Sequence, residues 1–307
     1  MNRNNSRAIA AAIFAAFCWG SATVMSKSVL AEVSPMALLT LQLAVSAAAL
    51  WSVILLTRRR LPPRGMGWVI SVLGLLEPGA AYLLGLIGLV WIGAGVATLI
   101  QASEAILIVV VSVVLLGERP TFTFIMLSLI ALAGLSMALG IGESLLTGNE
   151  IFGIVMIFLA TDSAAVYVVL SSRVIGDHDP LVVVGLQQLS ALVLALLALP
   201  FESAIRIGGI ELPHDTFSWS VVVLYGLVQY AIAFSAYMYA LSRISANLAG
   251  SFLNLTPVFG LAIAFVALRE QLTLIQLAGA AVTILAVSLI HIRSEPALSS
   301  PPFSEDE

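Results

Sequence analysis

The chain is a succession of apolar runs about 20 residues long, separated by short polar or basic loops. An α-helix rises 1.5 Å per residue, so a run of that length crosses a hydrocarbon core about 30 Å thick. Ala97 to Pro120 is one such run, ATLIQASEAILIVVVSVVLLGERP, with polar residues at its middle and a Gly117-Glu118-Arg119-Pro120 stop. Of the 307 residues, 60% are hydrophobic and 10% charged, with a mean hydropathy of +1.08. Soluble domains are about a quarter charged, so this chain has too little polar surface to face water. The predicted fold is an all-α polytopic membrane protein.

Ten transmembrane helices are expected, at 8–30, 35–56, 66–89, 94–116, 121–140, 151–172, 180–200, 218–241, 246–268 and 273–292. We call them spans one to ten. The first is too long for a signal-peptide core and lacks a small-x-small cleavage site, so it is read as a span. The sole cysteine, Cys18, lies in it and forms no internal disulfide. The longest loop runs from Phe201 to Phe217, and the acidic, Ser/Pro-rich tail at 294–307 is expected to be disordered.

Two features divide the chain in half. Ala249 to Leu272, AGSFLNLTPVFGLAIAFVALREQL, repeats the run at Ala97 with an offset of 152: Glu118 falls on Glu270, Ala105 on Pro257, Gly74 on Gly226 and Glu77 on Gln229. The first two spans of each half align at an offset of 145, Pro35 with Pro180 and Gln42 with Gln187. The second feature is charge. With the N-terminus inside, ten Arg fall on the cytoplasmic side, and only Lys27, Arg206 and Arg269 on the other. That bias predicts cytoplasmic termini. Five spans per half then turn the second half upside down. The expected organisation is a five-plus-five inverted repeat, residues 1–145 and 146–293, a common plan among secondary transporters, with the substrate site at mid-depth between repeats.

Polar residues inside the spans mark the candidate site. A charge at the centre of a span costs about 2.5–3.5 kcal/mol, yet Glu77, Glu104 and Asp162 lie there. Gln101 precedes Glu104 by three residues, on the same face of a continuous helix. Gln229 matches the depth of Glu77, and Asn254 lies in span nine. Trp19, Tyr82, Tyr167 and Tyr237 are aromatics within spans, whereas Trp51, Trp68, Trp91 and Trp219 sit at span ends and read as an interfacial belt. These residues either line a water-accessible cavity or clamp helices together. Pro78 and Pro257 each free a backbone carbonyl and predict a kink, as hinge or as static bend. Lys27 and Arg173 read as snorkelling cations, Glu118 and Glu270 as caps or inter-helix ion pairs.

These residues resemble a known family. Trp19-Gly20-Ser21 resembles the WG(S/T) of EamA-type carriers of the drug/metabolite transporter superfamily. Leu116-Gly117-Glu118-Arg119 resembles its LGER signature, and Thr256-Pro257 with Glu270 its second copy. The resemblance covers about residues 8 to 292. It implies ten helices in an inverted repeat, a bacterial inner (plasma) membrane location and export of small metabolites, often amino acids; the general plan is similar to that of exporters of aromatic and other amino acids. Three positions depart from the pattern. Ala105 stands where the family has proline, which predicts a straighter span four; Arg269 stands for glycine, and Gln42 for arginine.

The leading expectation is a secondary carrier exporting amino acids or related metabolites by alternating access. Its acids would recognise an ammonium group or hold a coupling proton. The alternatives are export of nucleosides or lipophilic cations, a passive channel, or a lipid translocator. An enzyme is not expected. There is no HExxH, the three histidines lie in loops or at a span end, and a lone mid-span Asp makes no aspartyl dyad. No P-loop is present, and no cofactor, metal or nucleic-acid partner is implied; the partners are the bilayer, a small molecule and a coupling proton.

Overall fold

The computed structural model describes residues 3–29, 33–92, 100–101, 103–117, 120–139, 148–176, 178–205, 211–268 and 273–298. The described residues are helical apart from short turns and loops, with no strand among them. Span one is Arg3–Val29, span two Pro35–Leu56, span five Phe122–Leu139, span six Gly148–Ile175, span seven Pro180–Ala198 and span ten Leu274–Leu298. The other four are interrupted. Span three comprises Arg64–Gly74, a π-helical segment Leu75–Ala80, and Ala81–Trp91. Span eight comprises Thr216–Tyr225, a second π-helical segment Gly226–Ala233, and Phe234–Leu241. Span four is described as a helix from Glu104 to Leu116, and span nine runs Ala246–Ser251, a 3-10 turn Phe252–Asn254, and Leu255–Leu268. The tail at 299–307 lies outside the described residues.

Large apolar side chains cover the outside. Leu56 is 83% exposed, Val114 74% and Trp68 73%, a surface that only lipid satisfies. Loop contacts fit alternate crossing. Ser34 N–H donates to the Glu211 carbonyl at 3.2 Å, joining the loops after spans one and seven. Arg59 pairs with Asp179 at 2.7 Å, joining the loops after spans two and six. Odd-numbered loops thus meet odd, and even meet even.

The helix contacts are preserved when each span is exchanged with the one five places on. Span three packs on six, and eight on one; four packs on six, and nine on one; two packs on eight, and seven on three. Spans two and seven, and spans five and ten, pack on each other. At the last of these the Thr283 hydroxyl donates to the Ala131 carbonyl at 3.2 Å, a pair related by the offset of 152.

The two offsets meet in one contact. A Cβ on Gly74 would lie 2.0 Å from the Gln187 carbonyl oxygen, and one on Gly226 would lie 2.9 Å from that of Gln42. Gly74 and Gly226 are paired by the offset of 152, Gln42 and Gln187 by 145. Each glycine lets span three or eight lie directly on the backbone of the second span of the other half. The chain is a polytopic helical membrane protein built as an inverted repeat.

Two expectations about tryptophan and arginine change. Trp51 is a clamp, its indole N–H donating to the Gly185 carbonyl at 3.1 Å between spans two and seven. Arg173 donates to the Leu116 carbonyl at 3.2 Å, satisfying the C-terminal end of span four.

Gly74→Ala forces spans three and seven apart and should destabilise the fold by about 1–3 kcal/mol, read as a lower unfolding midpoint in detergent. Gly226→Ala should cost less, and Gly65→Ala, whose Cβ meets nothing within 4 Å, should leave the midpoint unchanged. Equal midpoints for all three would refute the close approach.

Candidate functional site

The four interruptions lie at repeat-related positions. In span three Glu77 has extended backbone, φ −148° and ψ 132°, and the next residue is Pro78. Proline has no N–H and cannot continue the ladder. The Ser163 hydroxyl of span six donates to the Leu76 carbonyl at 3.0 Å. In span eight the Trp19 indole N–H donates to the Gln229 carbonyl at 3.1 Å. Each break therefore receives a donor from the first span of the opposite repeat.

Span nine tightens to a 3-10 turn just before Pro257, which is the third residue of the helix that follows. There a missing N–H is tolerated, because first-turn donors have no partner within the helix. Span four is interrupted too, although Ala105 gives it no proline at the repeat-related position. Ser103 N–H and hydroxyl both reach the Ile100 carbonyl, at 3.0 and 2.6 Å, and the helix restarts at Glu104. A serine bonding its own backbone competes with the helix ladder, so this break needs no proline.

Around the breaks of spans three and eight the structure gathers an aromatic cluster. The Trp19 ring meets Phe234 edge-on at 5.2 Å and Tyr237 at 5.4 Å. Tyr82 lies 5.1 Å from Tyr230 and 6.3 Å from Phe234. Gln229 Nε2 donates to the Tyr82 hydroxyl at 3.0 Å, so Trp19, Gln229 and Tyr82 link spans one, eight and three. Glu77 sits at the break of span three, five residues before Tyr82, and Glu104 at the restart of span four. Glu104 stands in the first turn of its helix, where the positive end of the helix dipole favours a carboxylate.

Tyr167 borders the cluster, its ring 6.3 Å from Phe234 and its hydroxyl donating to Gln187 Oε1 at 2.9 Å. Gln187 Nε2 donates to Ser171 at 3.3 Å. Tyr237 is 2% exposed, and its hydroxyl has no hydrogen-bond partner among the described residues.

Other expected site residues fall apart from this group. Gln101 is exposed, and the turn at Ser103 separates it from the helix of Glu104, so the shared helix face is not formed. Asp162 is partly exposed, and it is the adjacent Ser163 that bonds span three. Asn254 is buried, with Nδ2 donating to the Ser251 carbonyl of its own span at 3.3 Å. The side chains of Lys27, Glu118, Arg119, Arg269 and Glu270 lie outside the described residues.

Sequence reasoning missed Phe234, and it read Tyr230 as a tyrosine within a span without placing it in the site. Phe234 touches Trp19, Tyr82, Tyr167 and Tyr230, the last in a stack with rings 4° from parallel. The spacing Tyr230, Phe234, Tyr237 was a usable signal, because positions four and three apart share a helix face. Gln188 was missed as well. Its Nε2 donates to the Tyr230 carbonyl at 2.6 Å, and its Oε1 accepts from the Ser46 hydroxyl.

The EamA-like transporter family matches this chain twice, over residues 6–140 and 151–292. An uncharacterized transporter of Archaeoglobus fulgidus is 26% identical over 89% of this chain and 94% of its own. The uncharacterized transporter YdfC of Bacillus subtilis is 28% identical over 90% and 88%. One of Synechocystis is 27% identical over 91% and 88%. A solved structure superposes with a TM-score of 0.80, covering 96% of this chain and 99% of that one at 21% identity, and so shares the fold. With both repeats matched in order and nearly end to end, the chain belongs to the EamA-like transporter family.

Proposed function

We propose that this transporter is a secondary carrier that exports small metabolites bearing an ammonium group, amino acids being the first class to test, by alternating access across a bacterial inner membrane. The observation that carries this reading is that the breaks of spans three and eight meet in one cluster, Glu77 at one break and Gln229, bonded to Trp19 and Tyr82, at the other. Broken helices at a repeat interface are where such carriers hold substrate. Repeat-related pairs of spans from the halves 1–145 and 146–293 would rock about the cluster, with Pro78 and Pro257 at the flexing points and both termini in the cytoplasm. The arginine bias supports that orientation.

In this reading Glu77 and Glu104 meet the substrate's ammonium or hold a coupling proton. Trp19, Tyr82, Gln229 and Tyr237 wall the site, and Tyr167 braces it from span six. Asp162, Gln101 and Asn254 are assigned to the path towards it rather than to its centre.

Reconstitution in liposomes with labelled amino acids, with and without a pH gradient, tests the function. Saturable uptake with counterflow is expected of a carrier, and non-saturating flux would indicate a channel. Accumulation against a gradient, driven by pH, would place the proton in the cycle. Glu77→Gln should reduce transport by about tenfold or more, as removal of a charged partner does, while insertion and unfolding midpoint stay as in wild type. Wild-type rates in that variant would remove Glu77 from the mechanism.

Trp19→Phe keeps an aromatic ring but leaves the Gln229 carbonyl without its donor. It should destabilise the protein by about 1–3 kcal/mol and slow transport. An unchanged midpoint would show that the indole bond does not hold span eight.

A further inference from the structure

We infer that Gln188 is a positioning residue for transport: it pins the break of span eight, so that span eight is the fixed side of the site and the break of span three the side that moves. This rests on the alternating-access reading above and names its moving half.

The break of span eight has two side-chain donors. Trp19 of span one reaches the Gln229 carbonyl. At the next residue Gln188 of span seven donates through Nε2 to the Tyr230 carbonyl at 2.6 Å. The other end of the same amide, Oε1, accepts from the Ser46 hydroxyl of span two. A backbone carbonyl only accepts, so the bond to Tyr230 fixes which end of the amide is nitrogen, and the bond from Ser46 agrees with it. Gln188, Ser46 and Tyr230 are all buried. Where no water reaches, opening the bond leaves a donor and an acceptor unpaired.

The first repeat lacks the counterpart. The offset of 145 takes Gln188 back to Leu43 and carries Ser46 to Ala191. Both are fully buried, and neither side chain can donate. Ala191 instead lies against the break itself, its Cα 3.7 Å from where a Cβ on Gly79 would stand. Pro78, which answers to Tyr230 at the offset of 152, has no N–H to add. Among the described residues the side-chain donor to this break is the Ser163 hydroxyl, on the Leu76 carbonyl. One hydroxyl therefore holds the break of span three, whereas an indole and a locked amide hold that of span eight.

The pin positions an aromatic wall. Tyr230 stacks on Phe234 at 6.2 Å, and Phe234 meets Trp19 at 5.2 Å and Tyr167 at 6.3 Å. Tyr82 follows the break of span three and faces this wall, 5.1 Å from Tyr230 and 6.3 Å from Phe234. Movement at the unpinned break slides Tyr82 over a surface that Gln188 keeps in place. The bond from Gln229 to the Tyr82 hydroxyl is the contact that such movement opens.

Hydrogen–deuterium exchange of the whole protein in nanodiscs tests this without a substrate. In wild type, residues 75–80 should be about tenfold or more less protected than residues 226–233. Gln188→Met keeps the length of the side chain and loses the donor; it should lower protection at 226–233 about tenfold and leave spans five and ten unchanged. Ser46→Ala frees the far end of the amide and should give a smaller loss in the same segment. In liposomes, with a labelled amino acid that wild type carries, Gln188→Met should raise the half-saturation concentration about tenfold and change the maximal rate less. Equal protection of the two breaks in wild type would overturn the inference. So would unchanged protection at 226–233 in Gln188→Met, or a loss spread evenly over all spans. A lower maximal rate at unchanged half-saturation would overturn the positioning role. If wild type carries no amino acid, the substrate reading above fails, and the exchange comparison still decides this one.

Discussion

A helix break inside a bilayer leaves backbone carbonyls that water cannot reach, and each needs a donor from protein. In this transporter the breaks in spans three and eight are served across the repeat boundary. Ser163 reaches the Leu76 carbonyl and Trp19 reaches that of Gln229. Neither half could hold its own broken span in this form alone. The two halves are therefore bound together at the depth where the helices are weakest, by bonds that also set the spacing of the candidate site.

Close backbone approach makes those bonds possible. Gly74 against Gln187 and Gly226 against Gln42 seat spans three and eight on the opposite half with no side chain between them. Lipid provides no hydrophobic drive for helices to associate, so packing of small residues and interhelical hydrogen bonds must hold the bundle together. Gln187 uses its side chain as well, accepting from Tyr167 and donating to Ser171. Gln188 binds the Tyr230 carbonyl from the next position. One polar pair in span seven thus braces two aromatic residues of the cluster.

Much of this was legible in the sequence because membrane constraints are coarse and strong. Run length gives the spans, and two offsets give the repeat. Those offsets, read from aligned letters, reappear as the Gly–Gln contacts and as Thr283 on Ala131. Local backbone chemistry was less legible. Span four has no proline to mark its interruption, and Ser103 makes one by bonding back to Ile100, so Gln101 leaves the face of Glu104. Asp162 carries the conspicuous charge, yet its neighbour Ser163 makes the inter-repeat bond. A phenylalanine at 234 gives no polar signal, and only its spacing from Tyr230 and Tyr237 marks it.

The repeat is symmetric in backbone and asymmetric in chemistry. Glu77 answers to Gln229, so the first half brings the acid to its break and the second brings a neutral amide. Glu104 answers to Thr256, again an acid against a neutral group. The second half supplies Tyr230, Phe234 and Tyr237 in return. Negative charge thus comes from one repeat and most of the aromatic wall from the other. The bonds from Trp19 to Gln229 and from Gln229 to Tyr82 cross the repeat boundary, so the same few side chains that border the candidate site also hold the two halves together.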